Sequence, residues 1–423
     1  MTIDAPYSVS IVICTDGRAA ALKNTLASLA FLSGPDFEVC VVRGPTNDDV
    51  DEVLQAWNGA IKAVCNPIRN LSVSRNIGIQ MSSGDLIAFI DDDAIPEPEW
   101  LQQIVQSFDD PKVGGAGGIV MDHTGVKPQY LYATANRLGI ADTERQTAAQ
   151  EYNFPQSYNF PYVQGTNSVF RRSALMDIRG FDEEFDFYLD ETDLCCRLID
   201  AGWRIEQRSD AIVHHKFLPS NIRNNARVTR ALYQVLKNKL YFSIINNHGH
   251  YLLTNSIHDM NQFVDNHRNY LRHHMALGSV DFSDLNQYEM DVEQAWEIGL
   301  RRGLSGIRRL APPANFSTSE FLIFRKKPIE KLSESLVFVI NRSIEDTDLS
   351  KKVPDTLIYA KEGHKVHIIS PDLDLDHSDF VQELWHHRLL WDGENFFESS
   401  PVKEFIHNLN IRENIVLISH LKF

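Results

Sequence analysis

Leu86-Ile87-Ala88-Phe89-Ile90 runs straight into Asp91-Asp92-Asp93. The apolar run is too short for a helix and predicts a strand buried on both faces. Pro96 and Pro98 end it. Carboxylates crowded at one strand end repel one another, and a hard divalent cation is the usual partner that offsets such repulsion. Ligands in open α/β sheets sit outside the carboxyl ends of strands, where these aspartates would lie. Taken alone, the trio reads equally well as an acidic turn capping the next helix.

The elements around this stretch must hold it in place. Val9 to Cys14 predicts a first strand, Ala19 to Ala30 a helix, Phe37 to Val42 a second strand ended by Gly44-Pro45, and Asp48 to Trp57 a helix. Ile61 to Val64 is a short strand, and Ser72 to Met81 a helix leading into the aspartate strand. This alternation predicts an α/β fold with a mostly parallel sheet covered on both faces. Pro98 to Phe108 reads as a helix, and Gly114 to Met121 as a loop entering a strand. Asp122 to Tyr162 lacks periodicity and reads as a long excursion, a candidate flap beside the substrate. Val163 to Phe170 returns to strand character. Asp190 to Ala201 is a helix with an apolar face of Leu194, Leu198 and Ile199, stopped by Gly202. Trp203 to Gln207 and Ala211 to His214 read as two short strands. Arg227 to Ile245 is amphipathic and helical; it would pack onto the preceding domain or, alternatively, lie on a membrane surface. More helices follow, separated near Gly278 and Gly303. Beyond Lys331, strands Leu336 to Ile340, Lys365 to Ile369 and Ile415 to Ile418 alternate with helices Val353 to Lys361 and Val402 to Leu409. Three strands are too few to close a doubly wound domain, which predicts a partial Rossmann-like unit. The expected division is residues 1–245, a helical extension over 246–330, and an α/β unit over 331–423.

Composition narrows the function. The chain has 423 residues, 43% of them hydrophobic and 23% charged, with a formal net charge of −16. That charge argues against a nucleic-acid partner. Five cysteines, an odd number that includes the adjacent Cys195 and Cys196, do not suggest a disulfide framework. A reducing cytoplasm is expected. No signal peptide or membrane span is evident in the sequence, so at most peripheral contact with the inner face of a membrane is expected.

The order of motifs resembles glycosyltransferase family 2 over about residues 7–245. The stretches that carry the resemblance are Ser10 to Thr15, Asn70 to Gly78, Gly84 to Asp93, Gly165-Thr166-Asn167 with Phe170-Arg171-Arg172, Gly180 to Glu183, Leu189 to Leu194 and Val213-His214-His215. The resemblance implies a GT-A nucleotide-sugar fold and transfer of a sugar from a nucleoside diphosphate to an acceptor hydroxyl, with inversion at the anomeric carbon. It implies Mn²⁺ or Mg²⁺ held by Asp91 and Asp93, with His215 or His214 reaching the metal or diphosphate. Strand alternation turns those two histidines to opposite faces. Thr15 would meet the nucleotide base, Asp92 the ribose, Arg75 the nucleotide, and Gly165 and Asn167 the donor sugar or acceptor. Glu191 occupies the position of the catalytic base, with Asp190 as its neighbour and substitute. A glycan or lipid-linked glycan would be the acceptor, in the synthesis of a surface polysaccharide. One position departs from the pattern: Arg43 follows the second strand where an aspartate often reads the base, and an arginine cannot accept a hydrogen bond from uracil. A phosphate or a different base would suit it. The C-terminal stretch Gly363 to Ile369 more weakly resembles the N-terminal half of a GT-B glycosyltransferase. Rival readings are a nucleotidyltransferase, which would carry a longer glycine-rich basic loop than Asp16-Gly17-Arg18, and a catalytically silent nucleotide-sugar-binding module. The intact aspartates and Glu191 speak against the silent module.

Overall fold

The computed structural model describes residues 7–125, 127–311, 319–324, 335–340, 365–373, 377–381, 384–391, 396–412 and 415–418, with single residues between them. The opening half alternates strand and helix: β1 (Val9–Thr15), α1 (Ala19–Leu29), β2 (Phe37–Arg43), α2 (Val50–Ala56), β3 (Lys62–Cys65), α3 (Leu71–Met81) and β4 (Leu86–Phe89). Their continuous apolar runs fit strands covered on both faces: every residue of β4 is buried, as are six of the seven in β2. β5 (Ala94–Pro96), α4 (Trp100–Ile104), β6 (Val113–Met121) and β7 (Pro128–Tyr130) follow. The sheet order is β3-β2-β1-β4-β11-β6-β12-β5, where β11 is Ser168–Arg171 and β12 is Arg204–His215; β7 pairs with β6. β1, β2, β3 and β4 are parallel, as the alternation predicts. The later half is mixed, because β11 inserts antiparallel between β4 and β6.

Several expectations change in detail. Gly114 to Met121 is strand throughout rather than a loop entering one; its glycines let neighbours approach, and a Cβ at Gly118 would collide with the Ala211 carbonyl. The two short strands around Gln207 and Ala211 are one strand, β12, with irregular register between Gln207 and Ile212. The excursion folds as a small antiparallel sheet of β8 (Tyr132–Asn136), β9 (Ala141–Arg145) and β10 (Asn159–Tyr162). Residues 163–167 form no strand; they turn into β11, after which α5 (Arg172–Asp177) and α6 (Asp190–Asp200) follow. The five cysteines are all free thiols.

The helical extension begins earlier and packs more tightly than its sequence suggests. α7 (Tyr233–Ile245), α8 (Leu253–Ala276) and α9 (Phe282–Ser305) share an apolar cluster that includes Leu236, Leu240, Met260, Val264 and Ala295. α7 buries nine consecutive residues, Val235–Ser243, so it has no free apolar face to lay on a membrane. Residues 217–232, expected to be partly helical, run instead as irregular chain. Among the described residues, no helix is long and apolar enough to cross a membrane.

Buried charge fastens the extension to the domain. Arg308 reaches Asp182 at 3.0 Å and Asp193 at 2.7 Å, both carboxylates fully buried. Tyr241 donates its hydroxyl proton to Asp182 at 2.8 Å, and Arg302 pairs with Glu184 at 2.6 Å. Asp182 and Asp193 flank the turn that leads into α6, so this network also fixes the start of that helix. The C-terminal unit has five strands rather than three, ordered β15 (His377–Val381), β16 (Leu384–Leu390), β14 (Val366–Asp372), β13 (Ser335–Val339) and β17 (Ile415–Ile418). The sequence reading lacks β15 and β16; in β16 the polar His386, His387 and Arg388 interrupt the apolar residues Leu384, Trp385, Leu389 and Leu390. Most of the expected helix Val353 to Lys361 lies outside the described residues.

Removing one partner from a buried ion network leaves charge uncompensated. Arg308→Ala should therefore destabilise the chain by about 2–3 kcal/mol and lower its thermal midpoint by roughly 5 °C. Calorimetry checks this, and an unchanged midpoint would show that the extension is held by its apolar contacts alone.

Candidate active site

The carboxyl ends of β1 and β4 and the N-terminal regions of α3 and α6 converge on one cavity of about 720 Å³. It opens where the strand order reverses, with β2 and β3 on one side of β1 and β4 on the other. That is the crevice ligands occupy in such sheets.

Three of the expected residues meet on its floor. His215 Nε2 lies 3.7 Å from Asp91 Oδ2 and 3.5 Å from Asp93 Oδ1. Ligand atoms of Asp91, Asp93 and His215 all fall within 4.8 Å of one another, so the group could hold a metal ion. Two observations fit that use. Asp93 Oδ1 is buried without a hydrogen bond. His215 Nδ1 is 2.9 Å from Gln129 Oε1; an amide oxygen only accepts, so the Nδ1 proton points there and Nε2 faces the two aspartates, as the atom that would take a cation in exchange for its proton. Oxygen ligands with one imidazole suit Mn²⁺ or Mg²⁺. Burial pushes the Asp93 carboxyl up, but His215, Arg18 and the Leu218 N–H together hold it well below the usual range.

Asp92 turns away from this group. It is buried, does not line the cavity, and pairs with Arg18, whose NH2 lies 2.5 Å from Asp92 Oδ1 and whose NH1 reaches Asp93 Oδ2 at 2.9 Å. Asp92, expected at the ribose, is thus placed outside the cavity lining, with its carboxylate against Arg18. His214 also faces away, 2.6 Å from Glu97 Oε1 and packed on Trp385, which leaves His215 as the histidine of the site.

The second cluster lies on the opposite wall. Arg75, buried on α3, pairs with Asp190 and stands 3.7 Å from Glu191 Oε2. Its guanidinium packs over the Phe181 ring at 5.3 Å. A Cβ at Gly165 would collide with that guanidinium, which explains the glycine there. The chain enters α6 through Tyr188 and Leu189, both left-handed at φ of 72° and 65°. Such backbone costs of order 1–3 kcal/mol per residue and persists only where its surroundings enforce it. Here the kink presents Asp190 and Glu191 at the helix start to the cavity. Burial, and then the charge of Asp190, push the Glu191 carboxyl up to about 8, against the pull of Arg75.

Two more of the expected residues do not line the cavity. Asn167 lies outside the cavity: its Nδ2 donates to the Ile119 and Ala211 carbonyls, each at 3.0 Å, and its Oδ1 accepts from Trp100 Nε1. It ties β11 to its neighbours and is a structural residue. Arg43 points to Asp51 at 3.1 Å and does not line the cavity either. Thr15 does line it.

Other lining groups escaped the sequence reading. Arg69 donates to Asp16 at 2.8 Å, and Asn221 reaches the same carboxylate at 3.1 Å, folding the chain after β12 back over the β1 end. Arg223, on that returning segment, stacks 3.4 Å over the Phe217 ring and donates to the Leu218 carbonyl. Its Nε is buried without a hydrogen bond, and among the described residues no carboxylate pairs with it. A cation so placed, in the cavity that holds Asp91 and Asp93, has its chemistry uncommitted. No periodicity marks this segment; the only cue was its position directly after His215.

Known proteins agree with this region of the chain. Residues 10–179 match the model of Glycosyl transferase family 2. Over 240 residues the chain is 26% identical to a glucosyl-dolichyl phosphate glucuronosyltransferase of Haloferax volcanii, covering 53% of this chain and 74% of that one. Over 213 residues it is 34% identical to a pre-mycofactocin glycosyltransferase of Mycobacterium tuberculosis, covering 49% of this chain and 42% of the other. Less than half of the mycobacterial protein is thus spanned. Among solved structures, a mannosyltransferase from Pyrobaculum calidifontis in complex with GDP-Man and Mn²⁺ is similar at 16% identity and a TM-score of 0.45, over 71% of this chain and 88% of that one.

The raised Glu191 carboxyl has a consequence for stability. In the unfolded chain it ionises near pH 4.5, and in the folded chain near 8. Between those values the unfolded state alone gives up its proton, so the wild type loses stability as pH rises. Glu191→Gln does not titrate. Its thermal midpoint should gain on the wild type from about pH 5 to pH 8 and hold that lead above, as scanning fluorimetry across pH would record. A lead independent of pH would place the Glu191 carboxyl in its ordinary range.

Proposed function

We propose, from the match of residues 10–179 to Glycosyl transferase family 2 and from the geometry of the cavity, that the chain is a metal-dependent, inverting glycosyltransferase. It would take a sugar from a nucleoside diphosphate and place it on an acceptor hydroxyl. The observation that carries this reading is a single cavity lined on one side by Asp91, Asp93 and His215 and on another by Glu191, with Arg75 beside it. That separates the two tasks of the reaction, leaving-group stabilisation and proton removal.

The acceptor oxygen attacks the anomeric carbon as its proton passes to a Glu191 carboxylate oxygen. The bond from the anomeric carbon to the diphosphate oxygen breaks, and its electron pair leaves with the diphosphate. One displacement at one face inverts the centre. A divalent ion held by Asp91, Asp93 and His215 would neutralise the charge developing on the diphosphate. Arg223, which among the described residues has no carboxylate partner, would do the same from the protein side. Asp190 fixes Arg75, and through it the position of Glu191. Glu191 must be ionised to act, so kcat/KM should rise with pH through about 8 in the enzyme without bound substrate.

The name of the Haloferax relative, a glucosyl-dolichyl phosphate glucuronosyltransferase, suggests a lipid-linked glycan as acceptor, and with it a role in glycan synthesis at the cytoplasmic face of a membrane. The experiment is release of nucleoside diphosphate from a panel of nucleotide sugars, with and without EDTA. EDTA should abolish release and added Mn²⁺ restore it, and Asp93→Ala should not respond to Mn²⁺. Glu191→Gln should keep its affinity for nucleoside diphosphate while turnover falls by about two to four orders of magnitude. Release that is indifferent to EDTA and to Asp93→Ala would refute the metal assignment. Normal turnover in Glu191→Gln would move the base elsewhere. A chain that binds nucleotide sugar yet never turns it over would be a binding module.

A further inference from the structure

The cavity continues past Glu191 to a wall that the transferase sheet does not build. α8 presents Phe263, Asn266, His267 and Tyr270 to it, residues three and four apart and so on one face of the helix. Phe263 stacks on Tyr188 with ring centroids 6.5 Å apart and planes at 21°. Tyr188 is one of the two left-handed residues that introduce Glu191, so the strained turn joins the base to this wall.

The chemistry of the wall is specific. Ring faces alternate with an amide, an imidazole and a phenol. The His267 imidazole lies with Nδ1 2.9 Å from the Phe263 carbonyl, so Nδ1 carries a proton. Burial lowers the proton affinity of the ring, which leaves Nε2 as an acceptor. The residues that α7 and α8 contribute to the cavity include no Lys, Arg, Asp or Glu. The cavity's arginines lie elsewhere, on the β1 turn, around α3 and on the segment after β12.

We propose that this face of α8, with Tyr188, is the acceptor platform, and that it takes a neutral sugar ring. The inference rests on the transferase reading above. A sugar ring offers C–H faces to Phe263 and Tyr270 and hydroxyl groups to Asn266 and His267. A bare lipid chain would bury that amide and imidazole without partners, which costs free energy. An anionic ring or a phosphate on this side would meet no cavity-lining cation from either helix, since Lys239 of α7, 5.4 Å over the Phe263 ring, is buried and paired with Asp259; it would also lie near the Asp190–Glu191 pair. The helical extension thereby becomes the specificity element, and the sheet the general transfer machine.

The test uses the full chain with Mn²⁺, a nucleotide sugar that it hydrolyses, and two matched acceptor panels, neutral methyl glycosides and the corresponding methyl uronates. Neutral glycosides should be the better acceptors. Phe263→Ala and Tyr270→Ala should each raise KM for the glycoside up to about tenfold, the upper end of what one aromatic face contributes, with KM for the donor at the wild-type value. Tyr270 is exposed, so its substitution spares the fold. Polyprenyl phosphate lacking a sugar should not compete with the glycoside. The proposal is overturned by an acceptor KM unmoved in both variants, by uronates that match or exceed the glycosides, or by effective competition from the bare polyprenyl phosphate. A wild type that hydrolyses no nucleotide sugar would instead overturn the transferase reading, and the platform with it.

Discussion

Burying carboxylates beside one another is the constraint on which this structure depends. Asp91, Asp92 and Asp93 end one strand, and Asp190 and Glu191 begin one helix facing the same cavity. Each cluster survives because an arginine from a different element enters it. Arg18, from the turn after β1, takes up Asp92 and one oxygen of Asp93. Arg75, from inside α3, takes up Asp190. What the arginines leave over is what the proposed reaction needs. Asp91, the second oxygen of Asp93 and His215 make a place for a cation, and Glu191 keeps a carboxyl raised enough to exchange a proton near neutral pH.

The same logic extends outward. Arg308 sits between Asp182 and Asp193 and so secures both ends of the turn that delivers α6. The turn itself is strained at Tyr188 and Leu189, and packing on both sides holds it: Leu189 lies in the sheet-side core and Tyr188 against α8. The helical segment therefore helps to hold the turn that presents Glu191. On the far side of β12, His214 and Glu97 are gripped by Trp385 and Lys365 of the C-terminal unit, one residue from His215.

Much of this was legible in the sequence because it is written in local signals. Apolar runs ending in Gly-Pro or Asp clusters marked β1, β2 and β4 within a residue or two. The resemblance to the family implied that the aspartate strand, the α6 start and the His215 strand end share a site, and all three line one cavity. What the sequence concealed depends on partners far away in the chain. Asp92 and Asp93 look alike in the string, but only the approach of Arg18 distinguishes a counter-ion from a ligand. Asn167 looks like a substrate residue until Trp100, Ile119 and Ala211 are seen to consume its hydrogen bonds. Arg43 is claimed by Asp51 eight residues on. The segment carrying Arg223 has no periodicity, and polar residues interrupt the apolar ones of β16, so neither announced itself.

The central claim is that Glu191 activates the acceptor for one direct displacement on the donor. The stereochemistry of the product tests it most directly. The anomeric proton of the product is to be followed by NMR from the first turnover, with an α-linked nucleotide sugar as donor. The account predicts a β-linked product from the outset, identified by the large coupling of its anomeric proton when the sugar is of the gluco or galacto type. An α-linked product would mean retention, and would contradict a single displacement with Glu191 as its base.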